Sequence, residues 1–332
     1  MRSERLSLAL DSGLAVLPPE GRILVVRPRA GDDLSALPRE RVQVVTGFRP
    51  DADAFAAQGL DVAPEPQGRF SAALVCAPRA RDHAHALLAQ ASEVVMPGGP
   101  VLVDGQKTDG IESLWRDLRA AGADPTPAVS KAHGKIFAFA AGAALPATWV
   151  AADRDVGGFV TRPGVFSADG PDAGSALLAA ALPPRLPARV ADLGAGWGYL
   201  ARAILTRDGV QECHLIEAEA DALACARRNI PDPRARFHWA DATRFRPDAP
   251  FGAVVCNPPF HTARDADPAL GIAFLRAAAG MLTTSGTLWL VANRHLPYER
   301  VLADSFREVE ELRGNPVFRL YRAHRPIPRR PT

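Results

Sequence analysis

The stretch FGAVVCNPPFH, from Phe251 to His261, joins a strand-like apolar run to four residues suited to holding a planar amine. Pro258 and Pro259 each fix φ and lack an N–H, so a central strand cannot run past Asn257. The carbonyls beyond it are stiffly placed and unused in pairing. The Asn257 side-chain carbonyl and the Pro258 backbone carbonyl can then accept hydrogen bonds from a single –NH2 group. Phe260 adds a flat face on which a ring can stack. The candidate catalytic set is therefore Asn257, Pro258, Pro259 and Phe260, serving a planar group with an exocyclic amine or amide.

A second set lies upstream. DLGAGWGYL, from Asp192 to Leu200, follows a predicted strand and opens a predicted helix. Gly194 and Gly196 let the backbone turn tightly and approach a ligand that a Cβ would block. Glu217 ends the next predicted strand, 23 residues after Gly194, where an acid can accept hydrogen bonds from ribose hydroxyls. Asp241, in HWADATRF, ends the strand after that, where it can lie beside an adenine ring. Glycine loop, acid and second acid in this order point to an adenosine-containing ligand. NAD fits less well, because G-A-G-W-G is not the full G-x-G-x-x-G. With N-P-P-F added, the pattern resembles the class I methyltransferases that bind S-adenosyl-L-methionine. That resemblance places Asp192 near the methionine end of the cofactor. Transfer of a methyl group from sulfonium to nitrogen relies on positioning and electrostatics. No side chain stands out as a general base, and the adjacent His261 reads as a shape or hydrogen-bonding residue.

Strand and helix patterns alternate along the whole chain, which predicts α/β architecture with mostly parallel sheets. Strands are predicted from Arg189, Cys213, Arg236, Phe251, Gly286 and Pro316, and helices from Tyr199, Glu219 and Pro268. The strand from Pro316 is mixed in character, suiting an edge or antiparallel position. The first half has a similar skeleton, with strands from Gly21, Arg41, Phe70, Pro100 and Lys135. FSAALVCAPRA (from Phe70) parallels FGAVVCNPPFH, and the partners lie about 180 residues apart, as a duplication would leave them. The first copy lacks the paired glycines, and Ala77-Pro78-Arg79-Ala80 stands for Asn257-Pro258-Pro259-Phe260. The expected boundary lies near residues 142–155, with a first domain over 1–145, a second over 155–325 and a basic tail over 326–332.

N-P-P-F or N-P-P-Y serves adenine N6, guanine N2 and protein glutamine alike. GVFSADGPDAGSALL (from Gly164), NPPFH and ANRHLPYERVL (from Ala292) narrow the choice. They resemble the RsmC/RlmG type of ribosomal RNA guanine-N2 methyltransferase, specifically across residues 160–325 and in architecture across the first 140. The resemblance implies two tandem Rossmann-like class I methyltransferase domains, the N-terminal one degenerate and serving as scaffold or RNA platform. It implies that Phe166, Ser167, Asp172 and Gly174 shape the cofactor site, and that Asp192, Gly194, Gly196, Glu217 and Asp241 hold S-adenosyl-L-methionine. Asn257, Pro258 and Phe260 would hold a guanine of ribosomal RNA, extruded from its helix. The segment departs from the type in G-P-D and in Ala195, without losing a group the chemistry needs. A 16S target, with the small ribosomal subunit as partner, is preferred. A 23S target, N6-adenine or protein-glutamine methylation, and a non-catalytic RNA-binding assembly factor remain as alternatives.

The bulk composition agrees. The 332 residues are 47% hydrophobic, enough for two cores, and the formal charge is only +2. Five arginines between Arg319 and Arg330, without an acid, read as a solvated terminus or an RNA-backbone contact. Cys76, Cys213, Cys225 and Cys256 are far apart and without C-x-x-C, which suits core residues of a reducing compartment and no metal site. The N-terminus has no signal-peptide pattern and no long apolar run occurs, so a cytoplasmic monomer without membrane attachment is expected.

Overall fold

A computed structural model describes residues 2–259, 261–262, 265–266 and 268–328. The chain divides into two compact units, one ending at Asp153 and the other beginning at Arg154.

The first unit carries strands β1 (Ile23–Val26), β2 (Val42–Val45), β3 (Asp61–Ala63), β4 (Ala72–Cys76), β5 (Pro100–Gln106), β6 (Val129–Lys131) and β7 (Gly134–Ala140). Their order is β3-β2-β1-β4-β5-β7-β6. Helices α1 (Arg2–Asp11), α2 (Arg49–Ala57), α3 (Arg81–Val94) and α4 (Ile111–Ala120) cover the sheet. β1 and β4 are continuous buried runs, ILVV and AALVC, as both faces of a helix-covered sheet require. Two apolar clusters result, one on each face. α1 was not foreseen in the sequence. It packs on β5, β6 and β7 and buries Arg5 together with Leu6 and Ala9.

The second unit begins with a small hairpin, β8 (Arg154–Asp155) and β9 (Val160–Thr161), and helix α5 (Ala173–Ala181). There follow β10 (Arg189–Leu193), α6 (Tyr199–Leu205), β11 (Glu212–Glu217), α7 (Ala220–Asn229), β12 (Ala235–Trp239) and β13 (Phe251–Cys256). A two-stranded pair, β14 (His261–Thr262) and β15 (Asp265–Ala266), precedes α8 (Pro268–Met281), β16 (Leu282–Asn293), α9 (Glu299–Ser305), β17 (Phe306–Leu312) and β18 (Phe318–Pro326). The main sheet has the order β12-β11-β10-β13-β16-β18-β17, the same topology as the first. Six of the seven strands point the same way, while β18 is antiparallel to both β16 and β17.

β18 is therefore antiparallel, as one reading of its sequence had it, but it is not the edge. β17, FREVEEL, covers it with a largely exposed, acidic strand. Across this pair Arg322 meets Glu310 at 3.5 Å and Arg325 meets Glu308 at 3.1 Å, while Arg319 pairs with Glu299. Three of the five terminal arginines are thus neutralised by acids from elsewhere in the chain. Arg329 and Arg330 lie outside the described residues. β18 runs through Pro326, and Ile327 donates to the Ser305 carbonyl at 2.8 Å.

Candidate active site

Leu193 of β10 stands opposite Ile216 of β11 on one side and Cys256 of β13 on the other. The residues next along each strand, Gly194, Glu217 and Asn257, therefore form one row at the carboxyl ends of three adjacent parallel strands. Here the winding of the sheet reverses direction, which leaves a crevice between the crossovers. Gly194 has φ +77, and a Cβ there would sit 3.2 Å from the Phe274 ring. The left-handed backbone favours glycine, and a Cβ there would also press on the Phe274 ring. The Gly194 amide donates to the Ile216 carbonyl at 2.9 Å, fixing the start of the loop.

Glu217 acts on the same loop. Its Oε2 accepts from the Gly196 amide and its Oε1 from the Glu219 amide, each at 2.7 Å. Burial pushes its carboxyl above the ordinary range, opposed by these amides. Asp192 is different. Its side chain is fully buried, and neither carboxylate oxygen has a hydrogen-bond partner of good geometry among the described residues. Burial pushes its carboxyl from 3.8 up to about 8, with the nearby Ala201 amide opposing the rise and the Glu217 charge adding to it. A buried acid left this way costs stability unless a donor or cation arrives.

An open cleft brings together Phe166, Ser167, Asp172, Gly194, Gly196 and Asn257. Phe166 is 59% exposed, and its carbonyl accepts from Trp197 Nε1 at 2.9 Å. Ser167 sits at φ 55 and donates from Oγ to the Gly170 carbonyl at 2.6 Å. Asp172 caps α5, its Oδ2 accepting from the Ser175 amide at 2.8 Å. Asn257 Nδ2 donates to Asp172 Oδ2 and to Ser175 Oγ, each at 2.8 Å. Ser175 and Trp197 were not singled out in the sequence. The Asp172-x-x-Ser175 spacing of a helix cap was the available signal for the first.

Asp192, Glu217, Gly174 and Asp241 are not among the residues that line the cleft. Gly174 stands behind it, between Asp172 and Phe318. Asp241 lies two residues beyond β12, which ends at Trp239, rather than on the strand end expected. Its Oδ1 accepts from the Thr243 amide at 2.8 Å and the Thr243 hydroxyl at 2.6 Å, closing a side-chain turn. β13 stops at Cys256, Pro258 is buried and Pro259 exposed. Phe260 and the side chain of His261 lie outside the described residues. All four cysteines are buried and unpaired. Among the described residues there is no cluster of three metal-binding side chains, and no helix is long and apolar enough to cross a membrane.

Residues 157–322 match the family described as Methyltransferase small domain. The chain is 29% identical, over 75% of its own length and 72% of the relative's, to the ribosomal RNA small subunit methyltransferase C of Alteromonas mediterranea. It is 34% identical to the ribosomal RNA large subunit methyltransferase G of Ectopseudomonas mendocina, over 49% of this chain and 45% of that protein. Among solved structures, a T. thermophilus 16S rRNA N2 methyltransferase, RsmC, in complex with AdoMet and guanosine, shares its fold. The TM-score is 0.79 at 24% identity, covering 98% of this chain and 91% of that one.

Proposed function

The chain belongs to the Methyltransferase small domain family and has the fold of two tandem class I methyltransferase domains, and from this we propose that it methylates N2 of a guanine in ribosomal RNA. S-adenosyl-L-methionine is the methyl donor and 16S rRNA of the small subunit the target. The observation that carries the reading is the row Glu217, Gly194, Asn257, with the unpartnered carboxyl of Asp192 beneath it. The residues suit this donor. Asp192 is a buried acceptor lacking a partner, fitted to an ammonium group, and the loop at Gly194 has no side chain to block approach. Glu217 already accepts one backbone amide on each oxygen and keeps lone pairs for ribose hydroxyls. Phe166, Ser167 and Gly196 line that side of the cleft, and Asp241, outside the lining, is assigned to the adenine end.

S-adenosyl-L-methionine supplies an electrophilic methyl group, whose transfer leaves the electron pair of the broken S–C bond on sulfur. Asn257 accepts an N–H of the guanine amine through its side-chain oxygen. This turns the nitrogen lone pair toward the methyl and offsets the positive charge that nitrogen gains. Pro258 and Pro259 hold the loop, Phe260 stacks the base, and the released proton leaves to solvent. The relatives named for ribosomal RNA support this choice over adenine N6 or protein glutamine. The first unit serves as scaffold or RNA platform, and the protein works as a cytoplasmic monomer.

Nucleoside mass spectrometry of 16S and 23S rRNA, from cells with and without the gene, tests the proposal. Loss of N2-methylguanosine from 16S rRNA is expected. Loss confined to 23S rRNA moves the target to the large subunit, and unchanged N2-methylguanosine in both refutes the reading.

A further inference from the structure

We propose that Asp172 and Ser175 are positioning residues for the substrate amine, because together they decide which end of the Asn257 amide faces away from α5. The proposal rests on the reading of the cleft as an amine-methylating site. A side-chain amide can present its oxygen or its nitrogen after a half-turn, and only the oxygen can accept from a substrate –NH2. Presented the other way, donor would meet donor.

Asp172 settles the choice by chemistry. An ionised carboxylate has only acceptors, so the amide end facing Asp172 Oδ2 at 2.8 Å is the nitrogen. The second amide hydrogen is taken by Ser175 Oγ at 2.8 Å. With both hydrogens committed, the end turned away from α5 is the carbonyl oxygen. The contact with a charged acceptor also draws electron density toward that oxygen, which strengthens it as an acceptor when charge develops on the amine.

Asp172 is itself held. The same Oδ2 accepts the Ser175 amide at 2.8 Å as the cap of α5, and α5 packs on α6 and β16. Gly174 keeps the pair uncrowded, since a Cβ there would lie 3.1 Å from Asp172 Oδ2 and 3.1 Å from the Phe318 ring. The Asp172-to-Ser175 turn is thus a latch on the substrate side of the cleft, beyond any part it takes in shaping the cofactor side.

The test compares Asp172→Ala, Ser175→Ala, Asn257→Asp and the exchange pair Asp172→Asn/Asn257→Asp. Each is assayed for kcat and KM on 16S rRNA and for S-adenosylhomocysteine affinity by calorimetry. Asp172→Ala is expected to lower kcat about 100-fold, and Ser175→Ala about tenfold, with affinity for S-adenosylhomocysteine within about threefold of the parent. Asn257→Asp sets two carboxylates face to face and is expected to lose at least about 100-fold in kcat. Adding Asp172→Asn lets the new amide donate to the new carboxylate, whose other oxygen accepts the amine, and should restore about tenfold or more. If Asp172→Ala does not fold, the exchange pair, whose Asp172→Asn keeps an oxygen to cap α5, carries the test. With an active parent, failure of the exchange pair to recover activity overturns the latch alone. Equal loss of kcat and S-adenosylhomocysteine affinity in Asp172→Ala also overturns it, making Asp172 a cofactor ligand. A parent that methylates no guanine N2 overturns the underlying reading as well.

Discussion

The residue after β1 is Arg27, and the residue after β10, at the same place in the second sheet, is Gly194. The registers fix the equivalence, since Val26 faces Val45 and Val75 as Leu193 faces Ile216 and Cys256. Both residues have a left-handed backbone, at φ 52 and φ 77. By the same count Val25 stands where the second unit has Asp192, and Cys76 stands where it has Asn257. In the second unit a buried acid lacks a partner and a glycine loop leads into a helix. In the first, no α-helix joins β1 to β2, and the acids are already paired. Arg5 Nε contacts Asp104 Oδ1 at 2.6 Å with both side chains fully buried, and Arg2 bridges Asp104 at 3.0 Å and Asp32 at 3.3 Å. Cys76 joins this group as a buried thiol pushed up to about 12. One topology has thus been finished in two ways. The first unit pairs its buried Asp104 internally with Arg5 and Arg2, while the second leaves the buried carboxyl of Asp192 without a hydrogen-bond partner among the described residues.

If that contrast is correct, removing one buried ionisable side chain should have opposite effects in the two units. Arg5→Ala leaves Asp104 with Arg2 alone and should cost about 3 kcal/mol of stability, measured by denaturant unfolding. Asp192→Asn removes an acid that has no partner, and should leave the ligand-free fold as stable or more so at neutral pH.

Ligand binding should divide the same way. Asp192→Ala and Gly194→Val are each expected to weaken S-adenosylhomocysteine binding at least about 100-fold, or about 2.7 kcal/mol, by calorimetry. Asn257→Ala should instead abolish methyl transfer with that affinity nearly unchanged. Equal loss of affinity in all three variants would contradict the division between cofactor and substrate sides.

A smaller effect concerns pH. The folded value of Asp192 is raised from 3.8 to about 8, so its contribution to stability is intact below the lower value and is lost as pH climbs through the upper one. A ligand ammonium favours the ionised form, so binding should expel a proton. Affinity for S-adenosylhomocysteine should then rise between about pH 6 and 8, by at most about tenfold per unit. Asp192→Asn should flatten this slope. Smallest of all, Arg27→Gly should change stability by no more than about 1 kcal/mol and create no second binding event, since Val25 supplies no carboxylate.

Much of this was legible in the sequence, for reasons that differ by residue. The glycine loop, Glu217 and the Asn257 strand end could be read because strict backbone demands leave Gly and Pro as visible marks. The register correction shows the limit. Matching the Cys-x-Pro pattern set Ala77 against Asn257, whereas the strand pairing sets Cys76 there. α1 was missed because its buried face includes Arg5, and an arginine is read as exposed until its partner, 99 positions away, is known. β17 was missed because its outward glutamates hide a strand whose acids pair with β18. The Asn257 contact to Asp172 spans 85 positions, and no local pattern shows it.

The most direct measurement is a calorimetric titration of the whole protein with S-adenosylhomocysteine, reading the number of sites per chain. One site is expected, lost in Asp192→Ala and retained when Cys76 and Arg27 of the first unit are replaced. Two sites, or one site that survives Asp192→Ala, would contradict the assignment of ligand binding to the second unit alone.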